Sequence, residues 1–342
     1  VYLAFDNVRV RWIPNAERDL EAMLAEETAN AQFCLDDSYG SQPALSTTRP
    51  PSLATSSAGV RLLPGFSLRS TYVVGAHPPR LSRAVVVLIS AFLHLAPIPG
   101  ALAKNRHLIA HAITKAACLG AAWIITPELA VGGYTFADTL GTDWIAPQPD
   151  PWMEKVRLFA ARKRVAIFLS HPERDPQSGR LYNTVFAIAP DGRLAGSHRK
   201  INALRVGSEA WSTPGTETTV FPMEPLGNVG MLICADAFSP GIANSLKAKG
   251  AQILVSSAAW APGLHGPNGE WERCTKDTGL PLFVCNRTGA DRTLDFRKAD
   301  SVVAQDGRRL LSMSSERSAI FLIDWDLKAG TLASPEYRQI LL

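Results

Sequence analysis

The pattern of apolar and polar positions changes character at residue 84. From there on, short apolar runs alternate with segments of helical spacing. Residues 84–92 read as a strand. Leu108, Ile109, Ala112, Ile113 and Ala116 then recur at helical intervals within a helix at about 102–119, which Gly120 closes. A strand at 121–126, a helix at about 151–163 and a strand at 164–170 follow. Next comes a hairpin, 181–189 and 193–199, turning at Asp191-Gly192. The second half echoes the first: strand 228–234, helix 240–249, strand 252–257, helix 268–279, strand 281–285. A hairpin at about 300–305 and 308–313 then turns at Asp306-Gly307, and 318–323 adds a strand. Strand–helix–strand–helix–strand–hairpin occurs twice, which predicts an α/β fold of two similar halves sharing one core.

Residues 1–83 lack this pattern. They contain no lysine, and Asp37 is their last acidic residue. From 38 to 83 they carry five arginines, six prolines and many Ser and Thr, a loop-like composition. A helix is expected only around 17–33. This division predicts an irregular N-terminal extension, 1–83, and one catalytic-sized domain, 84–342.

Composition narrows the class. The chain has 342 residues, 46% hydrophobic and 19% charged, with a formal net charge of +4. That balance suits a well-cored protein and gives no reason to invoke nucleic acid. Five cysteines, an odd number without metal-ligand spacing, favour free thiols in a reducing compartment and a cytoplasmic location. The apolar run 84–103 is broken by His94, Pro97, Pro99 and Gly100, so a strand and a loop are expected rather than a membrane span.

Three chemically capable residues stand where strands end: Glu128, Lys200 and Cys234. In open α/β sheets, sites gather at the carboxyl ends of strands. Ser239, Pro240 and Gly250 mark a helix just beyond Cys234, as N-cap, first-turn proline and C-terminal glycine. A cysteine thiolate is a strong nucleophile, but a free thiol is mostly protonated near neutral pH. Glu128 in a dry pocket could take its proton. Lys200 could lower the thiol pKa and, with the Ala235 N–H, hold an oxyanion. The chemistry implied is acyl transfer through a thioester, with water as final acceptor. Taken singly each residue has a bland reading: core cysteine, solvated loop acid, surface lysine. Their joint occurrence, in matching structural positions, favours one site.

The motifs that carry these residues resemble those of the nitrilase superfamily, the carbon–nitrogen hydrolases. They are Thr126-Pro127-Glu128-Leu129 with Gly133-Tyr134, His198-Arg199-Lys200, and Gly230-Met231-Leu232-Ile233-Cys234-Ala235-Asp236. Asn286-Arg287-Thr288-Gly289 and Asp306-Gly307-Arg308 support them, and the resemblance covers about residues 84–325. It implies an αββα sandwich that pairs into homodimers or larger assemblies, and a Glu128–Lys200–Cys234 triad. It also implies a second glutamate that positions substrate and lysine, matched by Glu209, and pocket residues matched by Tyr134 and Trp260. Glu209 could instead be a surface acid, and the two aromatics plain packing residues.

Two departures bear on substrate. Nitrilases proper carry Trp-Glu after the cysteine, where this chain has Ala235-Asp236, and Pro-Thr shortly after the lysine, where it has Ile201-Asn202-Ala203-Leu204. Cys-x-Asp looks more like the amidase and carbamoylase branches. A linear carboxamide or N-carbamoyl compound is therefore expected as substrate ahead of a nitrile, with no cofactor and no metal. Rival readings are a cysteine hydrolase with His198 as base, a metal hydrolase using His107 and His111, and a non-catalytic binding protein on the same fold.

Overall fold

The computed structural model describes residues 86–203 and 207–342. The extension expected at 1–83, with its helix near 17–33, lies outside them.

In chain order the first half comprises β1 (Val87–His94), α1 (Leu102–Cys118), β2 (Trp123–Ile125), α2 (Pro151–Lys163), β3 (Ala166–Arg174), β4 (Leu181–Ile188) and β5 (Leu194–Arg199). A short strand, β6 (Val220–Pro222), leads into the second half. That half comprises β7 (Asn228–Ile233), α3 (Pro240–Ala248), β8 (Ile253–Ala258), α4 (Glu270–Thr278), β9 (Leu282–Asn286), β10 (Ser301–Gln305) and β11 (Arg308–Met313). Then come β12 (Ala319–Asp326), β13 (Thr331–Leu332) and β14 (Arg338–Leu341). The doubled order expected from the sequence is present. The short edge strands β6, β13 and β14 carry too few residues to show a period.

The strands form two sheets, ordered β13-β12-β1-β2-β3-β4-β5, with β14 also on β12, and β11-β10-β9-β8-β7-β6. In each half the first three strands run parallel and the hairpin that follows adds two antiparallel strands. The strand that follows each half pairs with the first strand of the other. β6 lies antiparallel to β7, and β12 runs antiparallel to β1 along all eight residues of both.

Alternation along the strands divides the core. From β1, Leu88 and Phe92 join the core shared with the other sheet, while Ala91 and Leu93 face the helices. Trp123 and Ile125 face inward from β2, and Ile124 faces outward. α1 buries Ile109, Ala112, Ile113 and Ala116 against the outer side of the first sheet. Ile242, Leu246 and Trp271, from α3 and α4, join the core of the second. The architecture is an αββα sandwich. Fully buried Phe and Trp side chains at its centre each stabilise it by about 1.5–3 kcal/mol or more.

Local signals act largely as expected. Asp150 caps α2, its carboxylate accepting the Met153 N–H at 2.8 Å ahead of Pro151. Asp306 and Gly307 both take positive φ in the β10–β11 turn, the geometry that such a pair favours. Ser239 differs. It precedes α3, but its side chain does not cap the helix; its hydroxyl accepts from Asn202 Nδ2 at 2.8 Å. Among the described helices none is long and apolar enough to cross a membrane, and the apolar run from 87 onward forms β1.

Candidate active site

The site gathers where β2, β5 and β7 end. Glu128 follows β2 and is held on both sides of its backbone. Its N–H donates to Ala258 O at 3.2 Å, and the Leu129 N–H donates to Ser170 Oγ at 2.8 Å. Thr126 ties the same segment to β3, donating to Phe168 O and accepting from Ser170 N–H. Glu128 is fully buried.

Lys200 directly follows β5. Side chains two apart on a strand share a face, so His198 and Lys200 both point into the sandwich while Arg199 points away. Arg199 pairs with Glu173 and with Asp175, and its guanidinium lies 4.0 Å from the Tyr182 ring centroid. The Lys200 ammonium donates to Glu128 Oε1 at 2.7 Å and to both carboxylate oxygens of Glu209 at 2.8 and 2.7 Å. Glu209, from the short turn Gly207–Glu209, is buried at 1% exposure, which removes the surface-acid reading.

Cys234 closes β7 with φ at 46°, a left-handed conformation rare for a side chain of its kind, and opens a tight turn over Cys234–Phe238. The first N–H groups of such a turn have no acceptor within it, and that of Ala235 is one of them. The Cys234 thiol is buried and feels Glu128, Lys200 and Glu209 together, with a hydrogen bond from the Ala259 backbone. The Ala259 N–H also donates to Glu128 Oε2 at 2.9 Å. Tyr134 is buried, feels the charges of Glu128, Glu209, Lys200 and Cys234, and packs edge-on against Phe296, 6.1 Å between centroids. Trp260 follows Ala259. Its ring lies 4.8 Å from Phe238 and 5.4 Å from Trp271, and its indole N–H donates to His265 O at 2.8 Å.

Burial and charge set the protonation states. Loss of solvent pushes the Glu128 carboxyl up to about 7; Lys200 opposes this, while Glu209 adds to it. Burial alone would lower the Lys200 pKa, but the two carboxylates raise it well above the usual range, so it stays charged. Burial and then Glu128 push the Cys234 thiol well up, more than Lys200 lowers it. At neutral pH the site therefore rests as a thiol beside a carboxyl group near its midpoint, which suits proton transfer during attack.

Asn183 escaped the sequence reading, and Asp236 figured there only as a motif position. Asn183, on β4, donates from Nδ2 to Glu128 Oε1 at 2.7 Å and to Glu209 Oε1 at 2.8 Å. Asp236 ties the lysine segment to the cysteine turn. Its Oδ1 accepts the N–H groups of Ile201 and Asn202 at 3.0 and 2.8 Å, and its Oδ2 accepts that of Ile233 at 2.9 Å. Asp236 Oδ2 also holds His198 Nε2 at 2.8 Å. The buried His198 Nδ1 has no hydrogen-bond partner among the described residues, so neither ring nitrogen is bonded to the Cys234 thiol, which answers the histidine-base reading. Among the described residues no group of three or more His, Cys, Asp or Glu is placed to hold a metal ion, including around His107 and His111.

The carbon–nitrogen hydrolase profile matches residues 91–332, most of the chain. The chain belongs to the carbon–nitrogen hydrolase family. This hydrolase is 25% identical over 209 residues to a probable nitrilase of Schizosaccharomyces pombe, spanning 60% of this chain and 75% of that one. It is 31% identical over 170 residues to an omega-amidase of Xenopus tropicalis, spanning 46% of this chain and 58% of that one. Its fold is similar to that of Saccharomyces cerevisiae Nit3, a member of branch 10 of the nitrilase superfamily. There the TM-score is 0.61 at 19% identity, covering 71% of this chain and 92% of that one. It is also similar to an amidase from Nesterenkonia sp., with a TM-score of 0.60 at 22% identity, covering 70% and 92%.

Proposed function

We propose that this carbon–nitrogen hydrolase cleaves a linear carboxamide or an N-carbamoyl compound through a thioester on Cys234, releasing ammonia. The observation that carries the reading is the buried contact of Glu128, Lys200 and Glu209 beside the Cys234 thiol. Glu128 takes the thiol proton as the sulfur attacks the carbonyl carbon. The oxyanion forms between the Lys200 ammonium and the Ala235 N–H. The tetrahedral intermediate collapses, the C–N bond breaks, and Glu128 returns the proton to the departing ammonia. A water molecule, deprotonated by Glu128, then attacks the thioester and frees the acid and the thiol. Glu209 holds Lys200 in place, and Tyr134 and Trp260 are assigned to the pocket that receives the substrate.

Two considerations favour an amide over a nitrile. Residue 235, directly after the cysteine, is Ala where nitrilases proper carry Trp. Two of the proteins to which this chain is similar are named as amidases. In a mutant of the Nesterenkonia amidase, the acetamide moiety of fluoroacetamide is found covalently added at the active-site cysteine, an S-alkylation that marks that sulfur as a nucleophile.

An ammonia-release screen over amides, carbamoyl amines and nitriles tests the reading, with Cys234→Ala as control. Release from amides or carbamoyl compounds is expected, lost in the variant, with an acyl adduct on Cys234 by mass spectrometry after acid quench. Release from nitriles alone would overturn the amide assignment. An adduct on another residue would overturn the mechanism.

A further inference from the structure

We propose that Asn183 is a positioning residue for this reaction: its side-chain amide holds the general base and the second glutamate side by side without adding charge. The inference rests on the thioester reading above.

Glu128 Oε1 and Glu209 Oε1 both receive Lys200 Nζ, at 2.7 and 2.8 Å, and both receive Asn183 Nδ2, at 2.7 and 2.8 Å. Donors and acceptors alternate around a closed ring of four. Only the NH2 end of the amide can face two carboxylate oxygens at once, so the contacts themselves fix its orientation. Asn183 is fully buried, and its Oδ1 has no hydrogen-bond partner among the described residues. A buried polar atom left unpaired is costly, so this side chain is not placed for its own stability. The strand ladder does not need it either. The backbone of Asn183 is held separately, its N–H by Ser212 Oγ at 3.0 Å and its O by the Lys200 N–H at 2.8 Å.

The choice of a neutral amide has a physical reason. Two carboxylates on one ammonium repel each other, and a second donor is needed to hold both close. A second cation would do so, but it would also pull the Glu128 pKa down and weaken it as a base. An amide supplies two N–H bonds and no net charge. The other charged or titratable groups that act on Glu128 are Lys200 from the end of β5, Glu209 from the turn at 207–209, Cys234 from the end of β7, and Tyr134 from the loop after β2. Arg287, in the loop after β9, also feels Glu128, but it is bound to Asp291 at 2.8 Å. Against that set, the Asn183 hydrogen bond favours the ionised carboxylate.

The test uses the whole chain and the variants Asn183→Ala, Asn183→Ser and Asn183→Asp. Two profiles against pH are measured: kcat/KM for ammonia release, and the rate of Cys234 alkylation by iodoacetamide. Thermal unfolding is followed in parallel. In the wild type both profiles should rise through the apparent pKa of the cluster. In Asn183→Ala the rise should move up by about one pH unit, with kcat/KM at pH 7 reduced about tenfold and partly recovered at higher pH. Asn183→Asp, which adds a third carboxylate, should move it further, and Asn183→Ser, which keeps one donor, less. Should Asn183→Ala fail to fold, the order of the other two carries the same test. Profiles that fall in amplitude without moving, or that do not change, overturn the proposal. A wild type that releases no ammonia from any compound defeats the thioester reading instead, and the alkylation profiles still decide the role of Asn183.

Discussion

Two thiols at strand ends of the second sheet, Cys234 after β7 and Cys285 within β9, share burial but not neighbours. Both are buried, and burial raises both pKa values well above the ordinary range. Around Cys234 stand a carboxyl group, an ammonium and a second carboxylate, contributed by the first half of the chain. Around Cys285 the groups are neutral and bonded to one another, with His94 Nε2 left without a hydrogen-bond partner among the described residues. Its thiol donates to Leu93 O at 3.4 Å, His94 Nδ1 meets Ser301 Oγ at 3.0 Å, and that hydroxyl accepts the Asn286 N–H at 3.0 Å. The two halves thus make two polar clusters where their sheets face each other. One can move a proton and hold an anion; the other is a closed knot. Burial alone leaves a cysteine inert, and what activates it is the charge brought to it from the opposite sheet.

The largest effect expected from breaking this contrast is at Lys200. Lys200→Met would leave Glu128 and Glu209 buried against each other. Ammonia release should fall by roughly a thousandfold or more, and stability to urea by about 3–5 kcal/mol, read from kinetics and denaturant titration. An intermediate effect separates the thiols. Brief iodoacetamide treatment of the native protein, followed by peptide mass spectrometry, should modify Cys234 at least about tenfold faster than Cys285. In the same comparison, Cys285→Ala should lower stability by about 1–2 kcal/mol and leave kcat of the folded enzyme unchanged. A gradual effect concerns the knot and pH. Burial lowers the His94 pKa from 6.5 to about 4, the backbone oxygens of Asn286 and Ser315 opposing this in part. The unfolded chain therefore binds a proton below pH 6.5 that the native protein refuses until about pH 4. Stability should be level above 6.5 and decline by about 1.4 kcal/mol per pH unit between 6.5 and 4 from this histidine. His171, lowered by burial to about 4, should add a similar slope. Urea midpoints across that range, with His94→Gln flattening the decline, check the sign.

Much of the framework was legible because its strands are short apolar runs bounded by Gly, Pro and Asp-Gly turns. The meeting of Glu128, Lys200 and Cys234 was legible for a different reason: they are reactive residues at the points where those runs stop. Sheet order was not. Nothing in the spacing says that β12 crosses over to lie on β1, because that pairing depends on which apolar faces meet after folding. Glu209 looked as much like a solvated loop acid as a partner of Lys200, since a three-residue turn has no period to report its burial. Asn183 gave one faint signal, an amide in the inward register of an otherwise apolar hairpin arm, and only its distances to the two glutamates give it meaning. Asp236 entered as a departure from the nitrilase motif. Its engagement with His198 and three backbone N–H groups shows why a carboxylate belongs there whatever the substrate.

The pairing of β12 with β1 has a mechanical outcome. A chain whose closing strand is woven into its opening strand cannot swing apart like a clamshell, because eight residues of ladder would have to unzip first. Separate expression of the two repeats would leave each sheet missing an edge. Any opening toward the buried cluster therefore falls to the connecting loops at its rim, while the strands that lead to Cys234, Glu128 and Lys200 stay tied into the two sheets.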